Sequence, residues 1–246
     1  MGGVSQSTRP RVWWGLGDAI LVFVIGFVLG QVAGGVYVVA TGVDENLSSD
    51  LVLIAITLIG QGAGWIGGAA LIARWKGRGS IAADFGSWWP RWRDLPWLAA
   101  GVALQVVVGI IALPLNLLRD DDGAVQSLVE SISEGTGFWK FVVVAAVVTI
   151  GPAAEEILFR GVLLRGLQRR MDHGWAVAVS AAAFALLHVI GDDPLRLLLG
   201  LVPWLCVGLL CGIRAVRSGG LAQPILIHIG FNLLAGILLL VGVDIG

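Results

Sequence analysis

The feature that most constrains this chain is a series of apolar runs, each approaching or exceeding the roughly 20 residues a helix needs to cross the hydrocarbon core of a bilayer. They fall at about 16–40, 50–74, 95–118, 138–171, 174–190, 195–216 and 220–242. Backbone in lipid must satisfy its own hydrogen bonds, so runs of this length fold as helices. The expected fold is all-α: a polytopic transmembrane helical bundle of seven crossings, or eight if one run is split. Charged residues are only 13% of the chain and hydrophobic residues 57%. Soluble domains carry about 25% charged residues, and a soluble fold is excluded. With no internal repeat, low-complexity tract or long linker, the 246 residues read as a single integral membrane domain, 1–246.

The charges give the bundle a direction. Arg9, Arg11, Arg74, Lys76, Arg78, Arg91, Arg93, Arg160, Arg165, Arg169, Arg170, Arg214 and Arg217, 13 of the 16 basic residues, fall on one side of the expected crossings. The opposite connections carry Asp44, Glu45, Asp50, Asp120, Asp121, Asp122, Glu130, Glu134, Asp192 and Asp193. Basic connections stay in the cytoplasm. The expectation is a plasma-membrane protein with a cytoplasmic N-terminus, an external C-terminus and membrane lipids as neighbours. No nucleic acid partner is expected. Trp13, Trp14, Trp75, Trp97, Trp139 and Trp175 fall near helix ends and read as an interfacial belt. The stretch 80–96, with Trp88, Trp89, Trp92, Arg91 and Arg93, reads as anchorage against headgroups. The acidic, Gly-containing stretch 120–137 reads as a solvated outer loop.

Other signals point to packing rather than chemistry. Cys206 and Cys211, five apart in an apolar run, suit neither a redox pair nor a disulfide framework. The first apolar run lacks a clear cleavage pattern and reads as a retained helix. The opening MGGVSQS departs from a myristoylation signal at Gln6. Gly15 to Asp18 spells GxGD, but the intramembrane aspartyl partner after tyrosine is missing, since Tyr37 is followed by Val38. Asp18 therefore reads as a residue that caps or packs the first helix. No rhomboid-like Gly-x-Ser-Gly occurs.

Chemistry is sought where ionisable groups are driven into apolar runs, because such groups are costly there and face a cavity or a partner. The stretch 151–161, GPAAEEILFRG, places Glu155 and Glu156 in the middle of the fourth run. At about 100° per residue the two carboxylates point apart, while Glu156 and Arg160 share a face at i,i+4. Glu156 is thus expected to pair with Arg160, leaving Glu155 for the cavity. Phe184 and His188 share a face of the next helix, and His228 and Asn232 a face of the last. A neutral imidazole can accept a proton or bind a metal, Glu155 can act as a general base, and Asn232 can donate to an oxyanion. These are the parts of a hydrolase.

The Glu-Glu-xxx-Arg, Phe-xxx-His and His-xxx-Asn triplet, in this order, resembles the CPBP membrane proteases, which include the type II CAAX prenyl endopeptidases and bacteriocin-processing proteins. The resemblance covers roughly residues 95–242, the protease-like core. It implies that Glu155 and His188 activate the attacking water and that His228 and Asn232 hold the oxyanion, with Glu156, Arg160 and Phe184 in support. The implied substrate is a peptide or lipidated protein, approached from the cytoplasmic side. Glu155, His188 and His228 would also make a three-ligand zinc site. No HExxH segment occurs, and the reading leans to a metal-independent glutamate mechanism. The alternatives are a small-ion transporter and a non-catalytic membrane scaffold or immunity protein. The former lacks a repeated half-structure, and the latter has little physical reason to keep costly polar groups at membrane depth.

Overall fold

The computed structural model describes residues 12–43, 50–116, 124–189 and 194–242. Within them every regular element is helical: α1 (Leu16–Thr41), α2 (Leu51–Lys76), the short α3 (Ile81–Phe85), α4 (Pro96–Asn116), α5 (Ala124–Glu134), α6 (Phe138–Leu167), α7 (His173–Val189), α8 (Pro194–Ser218) and α9 (Ala222–Leu240). The seven expected crossings appear as α1, α2, α4, α6, α7, α8 and α9, with ends shifted by a few residues. Six have the length and composition to cross a membrane, and α7, at 17 residues, is shorter. The opening MGGVSQS, Arg9, Arg11, Asp44, Glu45, Asp120, Asp121, Asp122, Asp192 and Asp193 lie outside the described residues.

Small residues set how closely the helices approach. A side chain at Gly64 would collide with the backbone of Gly26, which brings α1 and α2 together as a hairpin. Asp50 caps α2 by accepting from the Val52 and Leu53 amides at 2.8 and 3.1 Å, and Tyr37 donates to the same carboxylate at 3.1 Å. Gly101 of α4 faces the Ile227 carbonyl, and Gly230 of α9 faces the Leu98 carbonyl, with no room for a Cβ at either. Cys211 is buried in helix packing and Cys206 half-buried, both as free thiols.

The basic end is knitted by its charged side chains. Asp18 accepts from the Gly15 amide at 3.0 Å, capping α1 as expected, and pairs with Lys76 at 2.6 Å. Arg169 donates to the Trp14 carbonyl at 2.7 Å, and Arg165 to the carbonyls of Phe85 and Gly219 at 2.8 and 3.2 Å. Trp14 corrects the interfacial expectation. Its indole is fully buried, donates to the Val162 carbonyl at 3.0 Å and meets Phe85 edge-on. Trp13, Trp75 and Trp175 are exposed, as the belt requires.

The stretch read as an outer loop also differs. Its second half forms α5, with Ile132 buried and Gly135 packed against Leu51. Leu128, Val129 and Ile132 share one side at i, i+1 and i+4, an apolar stripe that neighbouring acidic residues hide in a composition count. α5 thus covers the acidic end of the bundle.

Candidate active site

The central helix α6 carries both carboxylates and is irregular on either side of them. It is π-helical over Ala146–Ile150 and again over Ile157–Leu163, with an α-helical turn at Gly151–Glu156 between. Pro152 explains the first break, since it has no N–H to give. The Gly151 amide donates to the Ala146 carbonyl, five residues back, which leaves the Val147 carbonyl without a donor from either position. Asn232 supplies it: its side-chain amide donates to Val147 at 3.0 Å. In the second π segment, Ser180 donates to the Phe159 carbonyl at 3.1 Å and Trp14 to Val162. Such π segments recur at functional sites because they redirect side chains within a continuous helix.

The two carboxylates diverge as the helical phase requires. Glu156 is fully buried, 3.0 Å from the Arg160 guanidinium and 3.1 Å from Nδ1 of His228. Arg160, equally buried, donates to the Gly208 carbonyl of α8 at 3.0 Å and lies 4.6 Å over the Phe184 ring. The pairing with Arg160 is the expected one. His228 is a second partner that sequence phase on one helix cannot reveal.

Glu155 faces the other way. Its Oε2 lies 3.8 Å from Nε2 of His188 and 3.7 Å from Nε2 of His228, and it has no hydrogen-bond partner although it is shielded from solvent. These separations exceed a hydrogen bond. One small molecule can touch all three atoms. The ring orientations follow from what lies behind them. His188 Nδ1 donates to the Phe184 carbonyl at 2.8 Å, because a carbonyl only accepts, so in the neutral ring Nε2 carries the lone pair. His228 Nδ1 donates to the Glu156 carboxylate in the same sense. Both Nε2 atoms therefore turn toward one oxygen of Glu155.

Aromatic rings hold this arrangement. Phe184 is fully buried with its centroid 4.5 Å from the His188 ring and 5.4 Å from the His228 ring. Trp204 stacks on the His188 ring at 4.0 Å and 26°, with its own ring 6.2 Å from Phe184. Sequence reasoning missed Trp204. Its signal was a Pro203-Trp204 pair inside an apolar helix, where Pro removes a backbone donor.

Glu155, His188, His228 and Asn232 all line one cavity of about 510 Å³. It runs from Glu155 along mainly apolar walls to Leu128 and Ile132 of α5 and to Leu239 at the end of α9. That is toward the acidic end, whereas the sequence reading had substrate approaching from the basic side. The basic end is filled by the Glu156–Arg160 pair, Trp14, Phe85 and the arginines bonded to helix-end carbonyls. Glu155 and the two imidazole nitrogens have the donor chemistry of a zinc site. Among the described residues, however, no group of three or more His, Cys, Asp or Glu side chains is gathered so as to hold a metal ion.

Comparison with known proteins gives the family context. Residues 137–234 match the family described as type II CAAX prenyl endopeptidase Rce1-like. An uncharacterized 24.3 kDa protein of Escherichia coli is 29% identical over 140 residues, covering 54% of this chain and 59% of that protein. The chain thus spans about three fifths of the length of this curated relative. No solved structure matches this chain. The matched segment contains all three motifs and every residue gathered around Glu155, so the part of the chain that holds the site is similar to the type II CAAX prenyl endopeptidases.

Proposed function

We propose that the protein is an intramembrane endopeptidase in which Glu155 activates water against a peptide carbonyl. The observation that carries this reading is the convergence of His188 Nε2 and His228 Nε2 on the one unpartnered oxygen of Glu155, within a cavity at membrane depth. A water donates one hydrogen to Glu155 and is oriented by the lone pair on His188 Nε2. Glu155 takes the proton as the water oxygen bonds to the carbonyl carbon. The resulting oxyanion is stabilised by donors. Asn232 keeps one N–H after bonding Val147. For His228 to donate from Nε2 while Nδ1 serves Glu156, its ring holds both protons, with the Glu156 carboxylate against it. Collapse breaks the C–N bond, and the proton held by Glu155 passes to the leaving amine.

The two histidines thus have different work despite similar sequence settings. His188 is backed by a neutral carbonyl and accepts, whereas His228 is backed by a carboxylate and donates. The substrate in this reading is a peptide segment of a membrane-associated protein, lipidated or plain, entering along the cavity from the acidic end. The bias of basic residues puts that end outside the cytoplasm in the plasma membrane. Cleavage of quenched fluorescent peptides by detergent-purified protein tests the reading. Turnover is expected from the wild type and not from a folded Glu155→Gln variant. Equal turnover by both overturns it.

A further inference from the structure

The cavity holds one more polar group whose bonding is incomplete. Gln105, at the middle of α4, lines it together with Glu155 and Asn232. Its side-chain carbonyl Oε1 is shielded from solvent and has no hydrogen-bond partner. Between Pro96 and Leu115 it is the only side chain able both to donate and to accept, in an otherwise apolar run. A buried acceptor left unpaired is unfavourable, and an apolar residue of similar shape would remove the cost. The position therefore calls for a ligand.

Its placement follows from the tight contact of α4 with α9. Gly101 and Gly230 leave no room for a Cβ, so the two backbones touch there. Gln105 lies one turn beyond Gly101, alongside the part of α9 whose Phe231, Asn232 and Ala235 line the same cavity. It thus faces the cavity from a helix other than those bearing Glu155, His188 and His228.

We propose that Gln105 positions the substrate by accepting a main-chain N–H of an extended apolar peptide through Oε1. This rests on the endopeptidase reading above. A peptide entering mainly apolar walls must pair its N–H groups or lose their hydration without return. Gln105 meets that need independently of side-chain sequence. It is a positioning residue and does not touch the reacting atoms.

Backbone esters test this directly. In the best peptide from a quenched fluorescent library, each amide flanking the cleaved bond is replaced in turn by an ester, which removes one N–H and keeps the shape. For the wild type, one position is expected to lower kcat/KM by about tenfold, the size of one buried hydrogen bond. In Gln105→Leu the parent peptide is already slower by about that factor, and the same ester costs nothing more. Gln105→Met, close in length, serves if the leucine variant does not melt as a folded protein. An equal ester penalty in wild type and variant, or no sensitive position in the wild type, overturns the role of Gln105 alone. No peptide cleavage by the wild type overturns the endopeptidase reading and this inference with it.

Discussion

His228 Nδ1 and Glu156 Oε1 lie 3.1 Å apart, which links the buried Glu156–Arg160 pair of α6, anchored to the Gly208 carbonyl of α8, to the cavity in front of Glu155. One carboxylate therefore sustains the fold and orients a site residue, while its sequence neighbour stands free.

The contrast predicts opposite behaviour for the adjacent glutamates. Glu156→Gln leaves the Arg160 charge buried without its partner, and breaking such a pair costs about 3–5 kcal/mol. Thermal melting in detergent should show a large loss. Glu155→Gln, which breaks no hydrogen bond of Oε2, should melt close to the wild type while losing turnover. Equal destabilisation of both would contradict this division.

Asn232→Ala removes the donor to the Val147 carbonyl and, in the proposed mechanism, an oxyanion donor. Loss of one such donor typically lowers kcat on the order of a hundredfold or more. The KM should change little. A variant with unaltered kcat would remove Asn232 from the mechanism.

Trp204 is expected to matter through His188. Trp204→Phe keeps an aromatic face against the imidazole, whereas Trp204→Ala frees the ring to leave its alignment with Glu155. Kinetics should show a fall in kcat of about tenfold or more for the alanine variant, since misplaced groups lose their orientation advantage. Equal rates for Phe and Ala would reduce Trp204 to a wall of the cavity.

Turnover in the proposed mechanism needs only side chains. Activity should survive exhaustive chelation and dialysis. Loss of activity restored by stoichiometric zinc would assign Glu155, His188 and His228 as ligands and replace the glutamate mechanism.

The direction of the cavity can be read in cells. In a background without Cys206 and Cys211, Leu128→Cys lies on the cavity wall near its acidic end. A membrane-impermeant maleimide added outside intact cells should label it. Labelling only after the membrane is opened would place the acidic end in the cytoplasm.

What the sequence determined by itself follows from local physics. Span length located the crossings, and the 3.6-residue period separated Glu155 from Glu156 and put Arg160 on the latter's face. The same period paired Phe184 with His188 and His228 with Asn232. None of this needs knowledge of which helices touch. The tertiary structure decided the rest. Trp14 is buried because Val162 and Phe85 meet it, not because of its place near a helix end. Val147 needs Asn232 because a π segment and Pro152 together remove its donors, a register that apolar periodicity does not encode. Trp204, Gln105 and the course of the cavity depend on the rotation and close approach of separate helices. A helix's own sequence gives its faces, but only packing decides what each face meets.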